Sequence, residues 1–105
     1  MANSKRKGKD GELELAKKLR DAGFDVRRGQ QYCGINGDAD LVGIPGVHIE
    51  CKRTNYISLY DFIDQAKRDA KEGELPMVFI RKDHCEWVVA MPFDAAVRLI
   101  RDLEV

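Results

Sequence analysis

The sequence predicts a single α/β domain: a mixed central β-sheet of about five strands with helices on its faces. Three observations support this prediction. Apolar residues recur at helical spacing in three segments, alternate with polar residues in others, and form short apolar runs beside turn signals. The segments follow in the order helix, three strands, helix, two strands, helix. A chain of 105 residues suffices for one domain with a modest core.

The first predicted helix covers residues 10–22 and ends at Gly23. Residues 1–8 before it are basic and are predicted to be a flexible tail. Glu12 falls on the apolar stripe of this helix, where an acid is unexpected. The position of Glu12 has two possible explanations. Carboxylates are favoured near a helix N-terminus, or a site beneath the helix requires a carboxylate. The stripe consists of Leu15, Ala16, Leu19 and Ala22.

Two further helices are predicted over residues 58–73 and 92–103. Ser58 is a good N-cap, with Asp61 three residues later, and Pro92 suits a first helical turn. Each helix carries one apolar stripe at spacings of three and four residues. The first stripe comprises Leu59, Phe62, Ile63, Ala66 and Ala70, and the second Phe93, Ala96, Val97, Ile100 and Leu103.

One strand is predicted at residues 24–28. Two strands on either side of a Pro45-Gly46 turn form a first hairpin within residues 37–54. Residues 76–81 and 85–91 form a second hairpin. Side chains alternate between the faces of a strand. In the strand after the turn, one face therefore carries apolar Val47 and Ile49 with Cys51. The other face carries His48, Glu50 and Lys52.

Asp40, Glu50 and Lys52 are predicted to converge on one side of the first hairpin. Charges near a core are costly unless they are paired or bind a metal. The pattern fits either a functional site or an exposed face with ordinary ion pairs. Carboxylates are suitable ligands for Mg²⁺ or Mn²⁺. Such an ion can activate a water molecule for attack on a phosphodiester. Asp38 lies on the same face as Asp40 and is its rival as a ligand.

Charge and cysteine content narrow the possible functions. The 18 basic and 18 acidic residues cancel, yet residues 1–28 hold nine basic and five acidic residues, so a basic face is possible. The three cysteines are odd in number and form no CxxC pair, which favours free thiols in a reducing cytoplasm. A zinc site built from the cysteines with His48 and His84 has the wrong ligand spacing. No apolar run is long enough to span a membrane.

The motifs resemble those of the PD-(D/E)XK nuclease superfamily: Glu12 in the first helix, Asp40 in DADLVGI, and Glu50-Cys51-Lys52 in IECK. Alanine stands where the superfamily usually has proline before the aspartate. The order of elements also resembles the restriction-endonuclease-like core. Within the superfamily, residues 7–91 are most similar to archaeal- and phage-type Holliday junction resolvases, through GKDGELELAKKLRDAGFDVRR.

The resemblance implies a metal-dependent DNA endonuclease acting on four-way junctions as a homodimer. Asp40, Glu50, the Cys51 carbonyl and Glu12 would hold Mg²⁺ or Mn²⁺, and Lys52 would position the attacking water. Gln65 resembles a glutamine that some members place beside the site. Trp87, Val89 and Phe62 are candidates for the dimer interface. Alternatives are another nuclease of the superfamily, VRR-NUC-like or restriction-like, and an inactive DNA-binding module.

DNA contacts are expected from the basic residues and from the polar loop at residues 29–36. This loop contains no serine, unlike that of many resolvases, so its contacts are less well defined by the resemblance. The DNA-binding set consists of Lys5, Arg6, Lys7, Lys9, Arg27, Arg28, Gln30, Gln31, Tyr32, Arg53 and Gln65.

Overall fold

The computed structural model describes residues 4–29 and 39–104, with side chains from residue 8 onward. Within them the chain forms helices and strands in the predicted order. The helices are α1 (Ser4–Asp21), α2 (Leu59–Asp69) and α3 (Phe93–Leu103). The strands are β1 (Arg27–Arg28), β2 (Leu41–Val42), β3 (Val47–Arg53), β4 (Leu75–Arg81) and β5 (Val88–Ala90). No helix in these ranges has the length and apolarity needed to cross a membrane.

The five strands form one sheet in the order β1-β2-β3-β4-β5. β3 and β4 pair in parallel, and the other neighbours pair antiparallel. A parallel pair needs a crossover connection, which α2 supplies. The predicted α/β fold with a mixed sheet is therefore confirmed, and it is compatible with a restriction-endonuclease-like core.

The two faces of the sheet carry separate apolar clusters. On one face, Leu15 and Ala16 of α1 pack with Val26, Leu41 and Ile49. On the other, Ala66 of α2 packs with Val78 and Ile80, and Phe62, Ile63 and Ala90 lie against them. β3 is thus covered on both sides, by α1 and by α2.

α1 begins at Ser4, so the predicted start at residue 10 was wrong by six residues. Lysine and arginine are good helix formers, and residues 5–7 extend the helix. Gly11 has a packing role within α1. A Cβ atom there would overlap the Arg53 side chain, so glycine lets the helix approach β3.

The strand predicted at residues 24–28 pairs only at Arg27 and Arg28. Val26 is buried before the pairing begins, whereas Phe24 is 47% exposed. Gly43 permits the close approach of β2: its φ is +128°, and a Cβ atom there would overlap the carbonyl oxygen of Asp25. Similarly, α2 ends at Asp69 rather than at residue 73, because Ala70 is extended.

α3 holds most of its large apolar residues away from the core. Phe93, Ile100 and Leu103 are 80%, 56% and 76% exposed, whereas the small Ala95 is buried. A hydrogen bond of 2.9 Å from Arg98 Nη2 to the Gly73 carbonyl oxygen ties the helix to the turn before β4. The apolar stripe predicted from the sequence is therefore present but largely faces outward.

Candidate active site

Alternation along β3 separates two kinds of side chain, as predicted. Ile49 is fully buried in the cluster beneath α1, with Val47 and Cys51 beside it. His48 and Glu50 are only 3% exposed and lie on the opposite face, toward α2. Glu50 is thus a carboxylate buried nearly as deeply as the core isoleucine next to it.

Asp40 and Glu50 meet across the β2–β3 pairing. Leu41 pairs with Ile49, so the next position of this antiparallel ladder sets Asp40 opposite Glu50. Asp40 Oδ2 accepts a hydrogen bond of 2.8 Å from the backbone N–H of Cys51. Burial, reinforced by the charge of Glu50, raises the pKa of Asp40 to about 7. The protonated Asp40 can donate to Glu50, so the pair shares one proton near neutral pH.

His48 is the buried partner of Glu50. Its Nε2 lies 2.6 Å from Glu50 Oε1, and its Nδ1 lies 3.9 Å from Glu74 Oε1. An ionised carboxylate only accepts hydrogen bonds, so Nε2 carries the proton. Burial acts to raise the pKa of Glu50, but the hydrogen bonds from His48 and Asp40 outweigh it and lower that pKa. For His48, burial opposes charging, yet the hydrogen bond to Glu50 leaves its pKa raised.

Sequence reasoning did not select His48 as a site residue. The signal was available, because His48 precedes Glu50 by two positions and shares its strand face. What the sequence could not supply was the burial of both side chains, which makes their hydrogen bond the main compensation for a buried charge.

Lys52 is held from two sides by α2. Its Nζ donates a hydrogen bond of 2.7 Å to Gln65 Oε1 and lies 5.2 Å from the centre of the Phe62 ring. The contact with the ring is within the range of a cation–π interaction. The structure therefore brings Gln65 beside Lys52, and its role in the site stays a prediction.

Glu12 lies at the edge of the group formed by Asp40, Glu50 and Lys52. Its charge adds to the raised pKa of Asp40, but its own Oε1 accepts a hydrogen bond of 2.9 Å from Arg28 Nε. The described residues contain no group of three or more His, Cys, Asp or Glu arranged to hold a metal. Asp40 and Glu50 remain as a carboxylate pair, and the role of Glu12 as a ligand stays a prediction.

The predicted DNA-binding residues fall into three groups. Lys9 and Arg27 are exposed. Arg28 pairs with Glu12, and Arg53 Nη1 lies 2.8 Å from Asp83 Oδ1. Gln65 is likewise paired, with Lys52. The side chains of Lys5, Arg6 and Lys7, and the residues Gln30, Gln31 and Tyr32, lie outside the part of the chain that the structure describes, as does Asp38.

Two of the three candidates for a dimer interface belong to the core. Trp87 is half-buried against the cluster beneath α1, and its Nε1 donates a hydrogen bond of 2.8 Å to Glu14 Oε1. Phe62 packs in the cluster beneath α2. Val89 is 51% exposed, so it alone of the three presents a large part of its surface to solvent.

Comparison with known families connects this geometry to an activity. The family described as "Phage putative PDDEXK endonuclease" matches residues 3–104. The chain belongs to that family. Its membership confirms the predicted PD-(D/E)XK superfamily and indicates a nuclease. No curated protein and no solved structure matches the chain. The resemblance to Holliday junction resolvases therefore stays a prediction.

Proposed function

We propose that this PD-(D/E)XK protein is a metal-dependent endonuclease that hydrolyses phosphodiester bonds in branched DNA. Four-way junctions are its proposed substrate, cut on two opposed strands. The observation that carries the proposal is the facing pair Asp40 and Glu50 with Lys52 on the same side of the sheet. A buried like-charged pair is costly for stability, and its chemistry suits a divalent cation.

The donor set fits Mg²⁺ or Mn²⁺. Such ions need only one or two carboxylates, with water and substrate phosphate completing the shell. Asp40, Glu50 and the Cys51 carbonyl would hold the ion, with Glu12 acting directly or through water. The raised pKa of Asp40 supports this assignment, because burial and the charge of Glu50 both disfavour its ionised form and a cation would offset both effects.

A bound cation would polarise the scissile phosphate and lower the pKa of the attacking water. The chain's own groups would do the rest. Lys52, held by Gln65 and Phe62, would orient the water and stabilise charge that develops on the phosphate. His48 would fix the rotamer of Glu50. As in the superfamily, the products would carry 5′-phosphate and 3′-hydroxyl ends.

We further propose that the protein acts as a C2 homodimer in a reducing cytoplasm, in a bacterial, archaeal or phage-infected cell. Two-fold symmetry would present one site to each opposed strand of a junction. The exposed Val89 on edge strand β5 and the outward-facing Phe93, Ile100 and Leu103 of α3 offer apolar surface for self-association. Cys51 and Cys85 are free thiols, which agrees with a reducing environment.

The test is cleavage of four matched DNA substrates by the full chain: a four-way junction, a three-way junction, a flap and a linear duplex. With Mg²⁺, we expect paired symmetric nicks in the four-way junction and little cutting of the duplex. Equal cutting of flaps or linear duplex would instead favour another nuclease type of the superfamily. A wild type inert with both Mg²⁺ and Mn²⁺, yet able to bind junctions, would be a DNA-binding module.

The control is Glu50→Ala, which removes one proposed ligand. It should abolish cleavage and leave junction binding largely intact. A variant that still cuts at the wild-type rate would contradict the assignment of this site. Sedimentation of the wild type with and without junction DNA would test the dimer, because a monomer in both states excludes paired cutting by a stable dimer.

A further inference from the structure

The segment from the end of β3 into the first turn of α2 exposes four large side chains close together in the sequence. Tyr56 and Tyr60 are 88% and 82% exposed, and Ile57 and Leu59 are 42% and 41% exposed. We call these four residues the tyrosine surface. Single exposed apolar residues are ordinary, but a group of them suggests a binding surface. The two phenol rings contribute most of its accessible area.

The tyrosine surface adjoins the proposed active site. Tyr56 follows Lys52 by four residues, so their Cα atoms are at most about 14 Å apart. Tyr60 precedes Gln65 by five residues, about 7.5 Å along the axis of α2, and Gln65 contacts Lys52. These spans are shorter than one helical turn of DNA, which is about 34 Å. One bound DNA molecule is therefore long enough to contact both the surface and the site.

The backbone beneath the tyrosine surface is anchored at several points. Asn55 exchanges two hydrogen bonds of 2.8 Å with Asp83. The Tyr56 N–H donates to Thr54 Oγ1 at 3.1 Å, and the Thr54 N–H donates to the Arg81 carbonyl oxygen. A tyrosine on a fixed backbone has two χ angles to order when it binds, so its contacts carry a low entropy cost.

The charges around the surface indicate which part of DNA it would contact. Asp61 and Asp64 are exposed in the first two turns of α2, beside Tyr60. These acids would repel a phosphate backbone. Aromatic rings instead stack on the faces of bases, whatever the base sequence. The surface thus suits bases, while phosphates would lie elsewhere.

We propose that Tyr56 and Tyr60 stack on bases that are unpaired or unstacked in branched DNA, and that this contact selects the substrate. The proposal rests on the proposed nuclease function. In an intact duplex, each base face is covered by its neighbours and only the edges are accessible in the grooves. A branch point or single-stranded segment exposes base faces, so only such DNA can use both rings.

The experiment measures equilibrium binding by the full chain in EDTA, where metal-dependent cleavage cannot occur. The probes are a four-way junction with 2-aminopurine at the branch, a duplex with a single-stranded dT tail, and a fully paired duplex of equal length. Tyr56→Ala and Tyr60→Ala should each weaken binding to the tailed and branched DNA about tenfold. Binding to the paired duplex should change less than about twofold, because it offers no accessible base face. Wild-type binding should also change the 2-aminopurine fluorescence.

Matched variants separate stacking from other effects. Tyr56→Phe and Tyr60→Phe keep the rings and should bind as wild type does. Equal losses on paired and unpaired DNA, or none in either alanine variant, would overturn the proposal. So would a change in sedimentation of the DNA-free alanine variants, which would identify the surface as a contact between copies.

A parallel cleavage assay with Mg²⁺ distinguishes failure of this inference from failure of the proposed function. If the wild type cuts branched DNA but the alanine variants bind and cut it equally well, only the role of the tyrosines is wrong. If the wild type neither binds nor cuts any of the DNA probes, both proposals fall together.

Discussion

The two faces of β3 show how one strand can serve stability on one side and chemistry on the other. Ile49 and Glu50 are adjacent and almost equally buried. Burial of the isoleucine stabilises the fold through the hydrophobic effect. Burial of the glutamate costs free energy, which its hydrogen bonds with His48 and Asp40 offset. The face toward α1 is therefore maintained by packing, and the face toward α2 by specific polar contacts.

The largest expected effects come from substituting Glu50 and Ile49 one at a time, the first on cleavage and the second on stability. Glu50→Gln should lower cleavage about a thousandfold, while the free energy of unfolding changes by about 1 kcal/mol or less, since the amide oxygen still accepts from His48. Ile49→Ala should lower the free energy of unfolding by about 3 kcal/mol. Its cleavage rate per folded molecule should stay within a few-fold of wild type. Denaturant titration and single-turnover cleavage measure the two effects.

If Glu50→Gln unfolded the protein while Ile49→Ala inactivated a fully stable one, the division between the two faces would be reversed. Cleavage should be compared at a temperature where Ile49→Ala is still folded, as judged by circular dichroism.

The next effect concerns His48, which holds Glu50. His48→Ala should weaken Mn²⁺ binding about 10- to 100-fold, because a residue that orients a ligand contributes on that scale. His48→Gln offers an amide N–H in nearly the same position as Nε2 and should recover much of the affinity. Calorimetric titration with Mn²⁺ measures this without relying on cleavage. Equal metal affinity in all three proteins would show that Glu50 needs no such support.

Much of the fold was predictable because it depends on local patterns. Helical spacing and the Pro45-Gly46 turn gave the element order, and strand alternation gave both faces of β3. The partners of side chains were harder to predict, because they depend on contacts between distant segments. Glu12 could be placed on an inward helix face, but not beside Arg28, which is 16 residues away. Likewise, the spacing of Phe93 and Ile100 predicts an apolar face, not whether another element covers it.

The raised pKa of Asp40 should make metal binding depend on pH. Burial and Glu50 raise the pKa of Asp40 to about 7. A cation must displace that proton, so Mn²⁺ affinity should fall about tenfold for each pH unit below 7 and level off above pH 8. Calorimetry across pH 5.5–8.5 measures the slope.

The raised pKa of Asp40 should also make the stability of the metal-free protein depend on pH. Stability should fall as the pH rises, whereas Mn²⁺ affinity should increase. Between pH 4 and 7 the folded state binds more protons at Asp40 than the unfolded state does. Stability should therefore decrease as the pH rises through this window and change little from Asp40 above it. Asp40→Asn should remove this contribution. A wild type and variant with parallel stability profiles would show that Asp40 titrates normally.

The smallest effect is expected on the α1 face, at Trp87. Trp87→Phe removes the N–H that donates to Glu14 Oε1 but keeps an aromatic ring against the cluster. Glu14 remains paired with Arg81, so no carboxylate is left without a partner. The free energy of unfolding should fall by only about 1 kcal/mol, measured by urea titration, and cleavage should be unchanged. A tenfold loss of cleavage with stability intact would mean that the α1 face also takes part in function, and the contrast between the two faces of the sheet would fail.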